Sequence, residues 1–244
     1  MDIALIVQEV IQKITIFALP VIFAITLHEA AHGYVARFFG DMTAAAAGRI
    51  TANPLKHIDP VGTILVPLVI LLTSKLLGGG MILFGWAKPV PVNFGRLRRP
   101  KQDMLWVAAA GPGMNFVMAV FWALMIQLAI TLHSGFFSKP MAYMGAAGVF
   151  INVILMALNL IPLPPLDGGR IAVSLLPMKQ AMQFARLEPY GLFILLGLMF
   201  IPIGGTSILG FILWPLISVF IGLTALVTGL DATQLIGLIQ LVLS

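Results

Sequence analysis

His28, Glu29, Ala30, Ala31 and His32 spell H-E-x-x-H inside an apolar stretch, and both the residue types and their spacing suit zinc chemistry. On an α-helix, positions i and i+4 lie one above the other on a single face, so His28 and His32 can offer two imidazoles to one tetrahedral ion. Glu29 is turned about 100° away on a helix of 3.6 residues per turn. That direction suits a general base acting on water beside the metal better than it suits a third ligand. So short a pattern arises by chance in roughly one shuffled chain per thousand of this composition. Its setting sharpens the reading. Ionisable side chains at membrane depth cost about 2.5 to 3.5 kcal/mol on insertion scales and concentrate at functional sites.

A zinc hydrolase needs a third protein ligand and one open position. The chain has no Cys, so that ligand must be His or a carboxylate, and redox compartment cannot be read from thiols. His57 lies in the polar stretch after the first apolar run and His133 at the far end of the third; each reads as a surface or interfacial histidine. Asp2, Asp41, Asp59, Asp103 and Asp231 flank apolar runs or termini. Asp167 differs, because it follows Asn159, Pro162, Pro164 and Pro165 and precedes Gly168 and Gly169. Prolines end a helix and the Gly pair permits close backbone approach, so Asp167 can turn inward. The competing reading is an ordinary Asp cap on the next helix.

The elements that must position these groups are membrane helices. Of 244 residues, 60% are hydrophobic and 9% charged, with mean hydropathy +1.05, against about 25% charged in soluble domains. The composition predicts an all-α polytopic membrane protein forming one domain over 1–244. Apolar runs cover about Val10 to Phe39, Val61 to Leu77, Met104 to Leu132, Met141 to Leu163, Tyr190 to Ile203 and Ile208 to Leu230, about six membrane segments. The start, Met1-Asp2-Ile3, lacks a basic n-region and a cleavage site, so the first run reads as retained. A net charge of +5, carried mostly between apolar runs, reads as orientation rather than nucleic-acid binding.

By the positive-inside rule, Arg37, Arg49 and Lys56 mark one cytoplasmic stretch and Arg96, Arg98, Arg99 and Lys101 another. The chain between them must cross an even number of times. Val61 to Leu77 is therefore re-entrant or paired with a returning segment, with Gly78, Gly79 and Gly80 at the reversal. Met81 to Asn93, interrupted by Lys88, Pro89 and Pro91, reads as extended backbone, tolerated at membrane depth where it is buried in protein or lines a cavity. Continuing the parity, the first and fourth runs end at the same face, which brings His32 and Asp167 to one depth.

Four separated pieces resemble the site-2 protease family of intramembrane zinc metalloproteases, in its compact prokaryotic form without a PDZ domain. They are His28-Glu29-Ala-Ala-His32-Gly33, Gly85-Trp-Ala-Lys-Pro-Val-Pro-Val-Asn93, Ala110-Gly111-Pro112-Gly-Met-Asn115, and Asn159 through Asp167-Gly168-Gly169. The resemblance spans about Val21 to Arg170. It implies one zinc ion per chain on His28, His32 and Asp167, with Glu29 activating water and Asn159 assisting catalysis at the substrate or its oxyanion. It further implies that the Gly85 to Asn93 piece is a β-like segment that pairs with an unwound substrate, an instance of β-augmentation. Lys88, Val90, Asn93 and Asn115 are candidate substrate-binding positions. Lys88 could instead snorkel to headgroups, Asn159 could make an interhelical hydrogen bond, and Asn115 could serve helix packing beside Gly111 and Gly113.

The function implied is cleavage of transmembrane segments of membrane proteins in a prokaryotic plasma membrane, at a site toward the cytoplasm. Partners would be a transmembrane substrate and the bilayer, with no nucleic acid; the sequence does not set the oligomeric state. The alternative class is a membrane metal transporter or sensor using the same cluster without proteolysis. A transporter wants ligands on both sides of a gate and paired broken segments in two halves, and one cluster is visible here. A prenyl-protein peptidase, another H-E-x-x-H membrane protease, would seek a later glutamate, for which Glu188 is the candidate.

Overall fold

A computed structural model describes residues 3–66, 69, 88–132 and 135–243. Four of its helices are long and apolar enough to cross a membrane: α1 (Ile3–Phe38, apolar from Ile11), α3 (Pro100–Leu132), α4 (Ser138–Asn159) and α8 (Ile208–Thr228). The short α2 (Thr43–Ala46) follows α1. Between α4 and α8 lie α5 (Asp167–Leu175), α6 (Met178–Ala185), α7 (Gly191–Phe200) and a hairpin of β1 (Pro202–Ile203) and β2 (Thr206–Ser207); α9 (Ala232–Leu243) ends the fold.

The expected six segments become four among the described residues. The run Tyr190 to Ile203 yields a helix of 10 residues, about 15 Å long and half of the hydrocarbon thickness. It ends ahead of Pro202, which favours the extended backbone seen at Ile201, and Gly204 and Gly205 then take positive φ in the hairpin turn. Val61 to Leu77 and Met81 to Trp86 lie largely outside the described residues, as does His133. Of the expected β-like segment, residues 88–93 are described and carry no ladder; the hairpin at 202–207 is the sheet found among the described residues.

Helix α3 is the hub, with its largest interface on α4 and the next on α1. Small residues make this possible, as in other membrane helix pairs. A Cβ added at Gly148 of α4 would fall 2.2 Å from the Trp122 ring of α3, and one at Gly145 would fall 2.6 Å from Ile126. Trp122, Ile126, Val149, Val153, Ile221 and Leu235 are among the residues of the core between α3, α4, α8 and α9. Apolar side chains also point outward, Phe193 at 71% exposure and Leu226 at 78%, as lipid-facing surfaces require.

Helices α1 and α3 run antiparallel, as the cross-links along them show. Ala24 and His28 meet Asn115, His32 meets Val107, and the Arg98 amide donates to the Phe39 carbonyl at 3.0 Å. The end of α1 and the start of α3 therefore share one end of the bundle. Pro100 opens α3 where no intrahelical donor is needed, and Asp103 reaches back to accept from the Arg99 amide at 2.8 Å.

Candidate metal centre

The i, i+4 spacing places His28 and His32 on one face of α1, with ring centroids 4.8 Å apart and planes at 83°. That face meets α3 at Gly111. A Cβ there would lie 2.5 Å from His28 Cε1 and 2.5 Å from His32 Nε2, so glycine is required for the rings to fit. Gly113 has no neighbour within 4 Å of such a Cβ; of the two glycines, Gly111 makes the close approach.

Asp167 arrives from a different direction. The turn after α4 folds so tightly that a Cβ at Gly168 would fall 2.4 Å from the Ile161 carbonyl oxygen, and one at Gly169 2.3 Å from Pro164 N. Leu166 is the N-cap of α5 and Asp167 is its first residue. The carboxylate makes no capping bond there; it turns to the histidines, with Oδ2 3.2 Å from His28 Nε2 and Oδ1 3.4 Å from His32 Nε2.

The donor chemistry fits a metal ion. One atom from each of His28, His32 and Asp167 lies within 4.8 Å of the others. Both Nδ1 atoms are engaged elsewhere, His28 Nδ1 2.5 Å from Asn115 Oδ1 and His32 Nδ1 donating to the Val107 carbonyl at 2.7 Å. The two Nε2 atoms are left facing each other at 3.1 Å. Asp167 Oδ2 is buried without a hydrogen-bond partner among the described residues. Two imidazoles and one carboxylate with a further position open is the donor set of a catalytic zinc site rather than a closed structural one.

Glu29 faces the same cavity of about 150 Å³, which His28, His32, Val90, Asn159, Asp167 and Arg170 also line. Its Oε2 accepts from the Val90 amide at 2.7 Å. A hollow of about 360 Å³ between residues 99–106 and Ser174–Leu175 is larger, but its lining has no ligand-type side chain.

The remaining sequence candidates separate clearly. Val90 is buried at the cavity. Asn159 is half-buried, lines the cavity and donates from Nδ2 to the Leu155 carbonyl one turn back at 3.0 Å. Lys88 is exposed and bonds through its backbone. The exposed Asn93 turns its side chain to the Gly95 amide and is not among the lining residues. Asn115 is fully buried behind His28, away from the cavity lining.

Sequence reasoning missed what holds residues 88–93. Arg49 donates from Nη2 to the Lys88 and Pro89 carbonyls at 2.8 and 3.4 Å. The His57 carbonyl accepts from the Lys88 amide at 2.9 Å, and Asp41 Oδ2 accepts from the Asn93 amide at 2.7 Å. All three are buried. His57 is thus neither a ligand nor a surface histidine: its Nε2 donates to the Thr51 carbonyl at 3.0 Å. Asp41 carried a local signal, since Asp-x-Thr is an Asx-turn pattern and its Oδ1 accepts from the Thr43 amide at 3.0 Å. Arg170, also missed, stacks over Phe94 at 5.0 Å and pairs with Glu188 at 3.8 Å, which leaves Glu188 outside the cavity lining.

The family profile of Peptidase family M50 matches residues 131–202, the part that includes Asn159 and Asp167. A provisionally named zinc metalloprotease of Bacillus subtilis, YwhC, is 36% identical over 203 residues, covering 82% of this chain and 84% of its own. The provisionally named zinc metalloprotease Rip2 of Mycolicibacterium smegmatis is 29% identical over 180 residues, covering 73% and 64%. Its Mycobacterium tuberculosis namesake (strain H37Rv) is 25% identical over 191 residues, covering 78% and 69%. No solved structure matches the chain significantly. With a membrane-helix scaffold, a buried His/His/Asp cluster and a relative similar over most of both lengths, the chain belongs to Peptidase family M50, the site-2 protease family of zinc metalloproteases.

Proposed function

We propose that this protein is a zinc-dependent endopeptidase that cleaves transmembrane segments of other membrane proteins within the bilayer. The observation that carries the reading is the convergence of His28, His32 and Asp167 from two elements distant in sequence, with Glu29 at the same cavity. One zinc ion per chain would be held by these three side chains. When bound, it supplies Lewis acidity toward a peptide carbonyl and eases deprotonation of an attacking water.

The chain's own residues do the rest. Glu29 takes the proton of the attacking water and can return it to the leaving amine, and the Val90 amide aims the carboxylate. Asn159 has one N–H committed to Leu155 and a second to offer a substrate carbonyl or developing oxyanion. Residues 88–93, pinned by Arg49, His57 and Asp41, form a fixed wall along which an unwound substrate can lie, with Val90 and Val92 at the cavity. Helix-breaking residues in the substrate favour cleavage, because a carbonyl must leave its helical hydrogen bond to be attacked.

The whole chain acts as one domain in a prokaryotic plasma membrane. The joining of the α1 end to the α3 start supports a common cytoplasmic side for both basic clusters, and so a site opening toward the cytoplasm. A transporter or sensor is less well supported, because a second metal-ligand cluster does not occur among the described residues.

The test is zinc content and cleavage of a generic transmembrane peptide by the purified protein and two variants. His32→Ala should lose zinc and activity together. Glu29→Gln should keep zinc while cleavage falls about 10²- to 10⁴-fold. Cleavage at the wild-type rate by Glu29→Gln, or zinc retention by His32→Ala, overturns the assignment.

A further inference from the structure

Two asparagines behind His28 are not used by the reaction as derived, although an amide inside a membrane bundle is costly unless fully bonded. Asn115 of α3 and Asn152 of α4 are both at 0% exposure. Each amide is oriented by a backbone carbonyl, an atom that can only accept. Asn152 Nδ2 donates to the Gly148 carbonyl at 2.9 Å, and Asn115 Nδ2 to the Ala24 carbonyl at 3.3 Å. With its amino group turned to Gly148, Asn152 presents Oδ1 to Asn115 and accepts the second N–H of that amide at 2.9 Å. Both hydrogens of Asn115 are then committed, and its Oδ1 is the atom facing His28 Nδ1 at 2.5 Å. An amide oxygen has no hydrogen to give, so His28 Nδ1 carries the proton and the neutral ring keeps its lone pair on Nε2.

We propose that Asn152 is a positioning residue of the metal centre: acting through Asn115, it locks His28 in the Nδ1–H tautomer and presents Nε2 for ligation before the metal arrives. The proposal rests on the reading of His28 as a ligand and makes Asn115 part of the relay rather than a substrate contact. Without Asn152, only the longer bond to Ala24 orients Asn115, and its amide can turn over by giving up that bond. Its amino group would then face His28 and favour the Nε2–H tautomer, whose proton sits on the ligating nitrogen. His32 is an internal control, because the Val107 carbonyl fixes its Nδ1–H without Asn152. Loss of an outer partner of this kind costs roughly 10- to 100-fold in metal affinity.

The test uses the full chain in detergent, labelled with ¹⁵N-histidine and stripped of zinc. Long-range ¹H–¹⁵N spectra distinguish the two tautomers, with signals assigned from His28→Gln and His32→Gln variants. Wild type should show Nδ1–H for both rings. Asn152→Leu should move His28 toward Nε2–H, leave His32 unchanged, and lower zinc affinity about 10- to 100-fold in competition with a chromogenic chelator. If Asn152→Leu does not fold, Asn152→Ser serves. An Nε2–H tautomer at His28 in wild type overturns the proposal, as does unchanged tautomer and zinc affinity in a folded Asn152 variant. A wild-type protein with the expected tautomers that binds no zinc overturns the metal reading instead.

Discussion

Gly111→Ala is a one-carbon change with a consequence that can be worked from the geometry. The added Cβ would lie 2.5 Å from both His28 Cε1 and His32 Nε2, and 2.6 Å from His28 Nε2. Ordinary contact begins near 3.4 Å, so about 0.9 Å must be found between α3 and the two rings. Zinc–ligand distances tolerate about 0.2 Å, and the rings cannot retreat freely while their Nδ1 atoms stay bonded to Asn115 and Val107. Overpacking of this size costs roughly 1–3 kcal/mol, and zinc affinity should fall at least about 10- to 100-fold. Gly113→Ala is the matched control on the same helix, since its Cβ meets nothing within 4 Å and alanine favours a helix interior by about 0.5–1 kcal/mol. The assay is chelator competition for zinc with thermal unfolding of each variant in detergent. Wild-type zinc affinity in Gly111→Ala, or equal losses in the two variants, would refute the placement of the histidines against this glycine.

Three further outcomes are expected. Burial raises the Asp41 carboxyl, but bonds from the Thr43 hydroxyl, the Thr43 amide and the Asn93 amide hold it below its ordinary value near 3.8. Its stabilisation is therefore complete above that value and lost as pH falls through the folded one. Asp41→Asn should cost roughly 1–3 kcal/mol at pH 7, with the gap from wild type closing in thermal unfolding as pH falls below the ordinary value; a constant gap contradicts the charge argument. Val90→Pro removes the amide that aims Glu29, so peptide cleavage should fall about 10-fold or more while zinc content holds; unchanged cleavage shows that Glu29 needs no such aim. Thr51→Cys and Gln102→Cys should be labelled from the same side of the membrane in a chain without native Cys; opposite labelling breaks the shared cytoplasmic face.

The parts of the site that were legible in the sequence are those set by local geometry. The i, i+4 histidines needed nothing beyond a helix, and the proline turn with two glycines foreshadowed a chain reversal before Asp167. Read from its own neighbours, however, Asp167 is as good a helix cap as a ligand. That choice is made by α1 and α3, which end at Phe38 and Leu132, far upstream in the chain. The same limit hid Arg49, His57 and Asp41. Each has an ordinary local reading, as a topology marker, an interfacial ring or a flanking acid, and each is recruited by backbone atoms of residues 88–93. Such bonds run to backbone carbonyls and amides, from the side chains of Arg49 and Asp41 and from the main chain of His57, and backbone groups look alike along any sequence and leave no pattern of residue types. The length of α7 is hidden for a related reason: hydropathy registers that a run is apolar, whereas Pro202, Gly204 and Gly205 decide where it stops and turns.

Burial of so many polar groups beside lipid is tolerable because the bonds close around one point. Val107 and Asn115 take the outer nitrogens of the two rings, Asn152 and Ala24 satisfy Asn115, and Gly148 satisfies Asn152. Every donor in that chain has an acceptor, so it carries no desolvation debt of its own. What remains unmatched is electron density: the Nε2 atoms of His28 and His32 and the Oδ2 atom of Asp167, all turned toward the same cavity. A divalent ion relieves it at one position and leaves the hydrogen bonds behind the rings intact. The polar network therefore orients the ligands around one position, where the donor set suits a single metal ion.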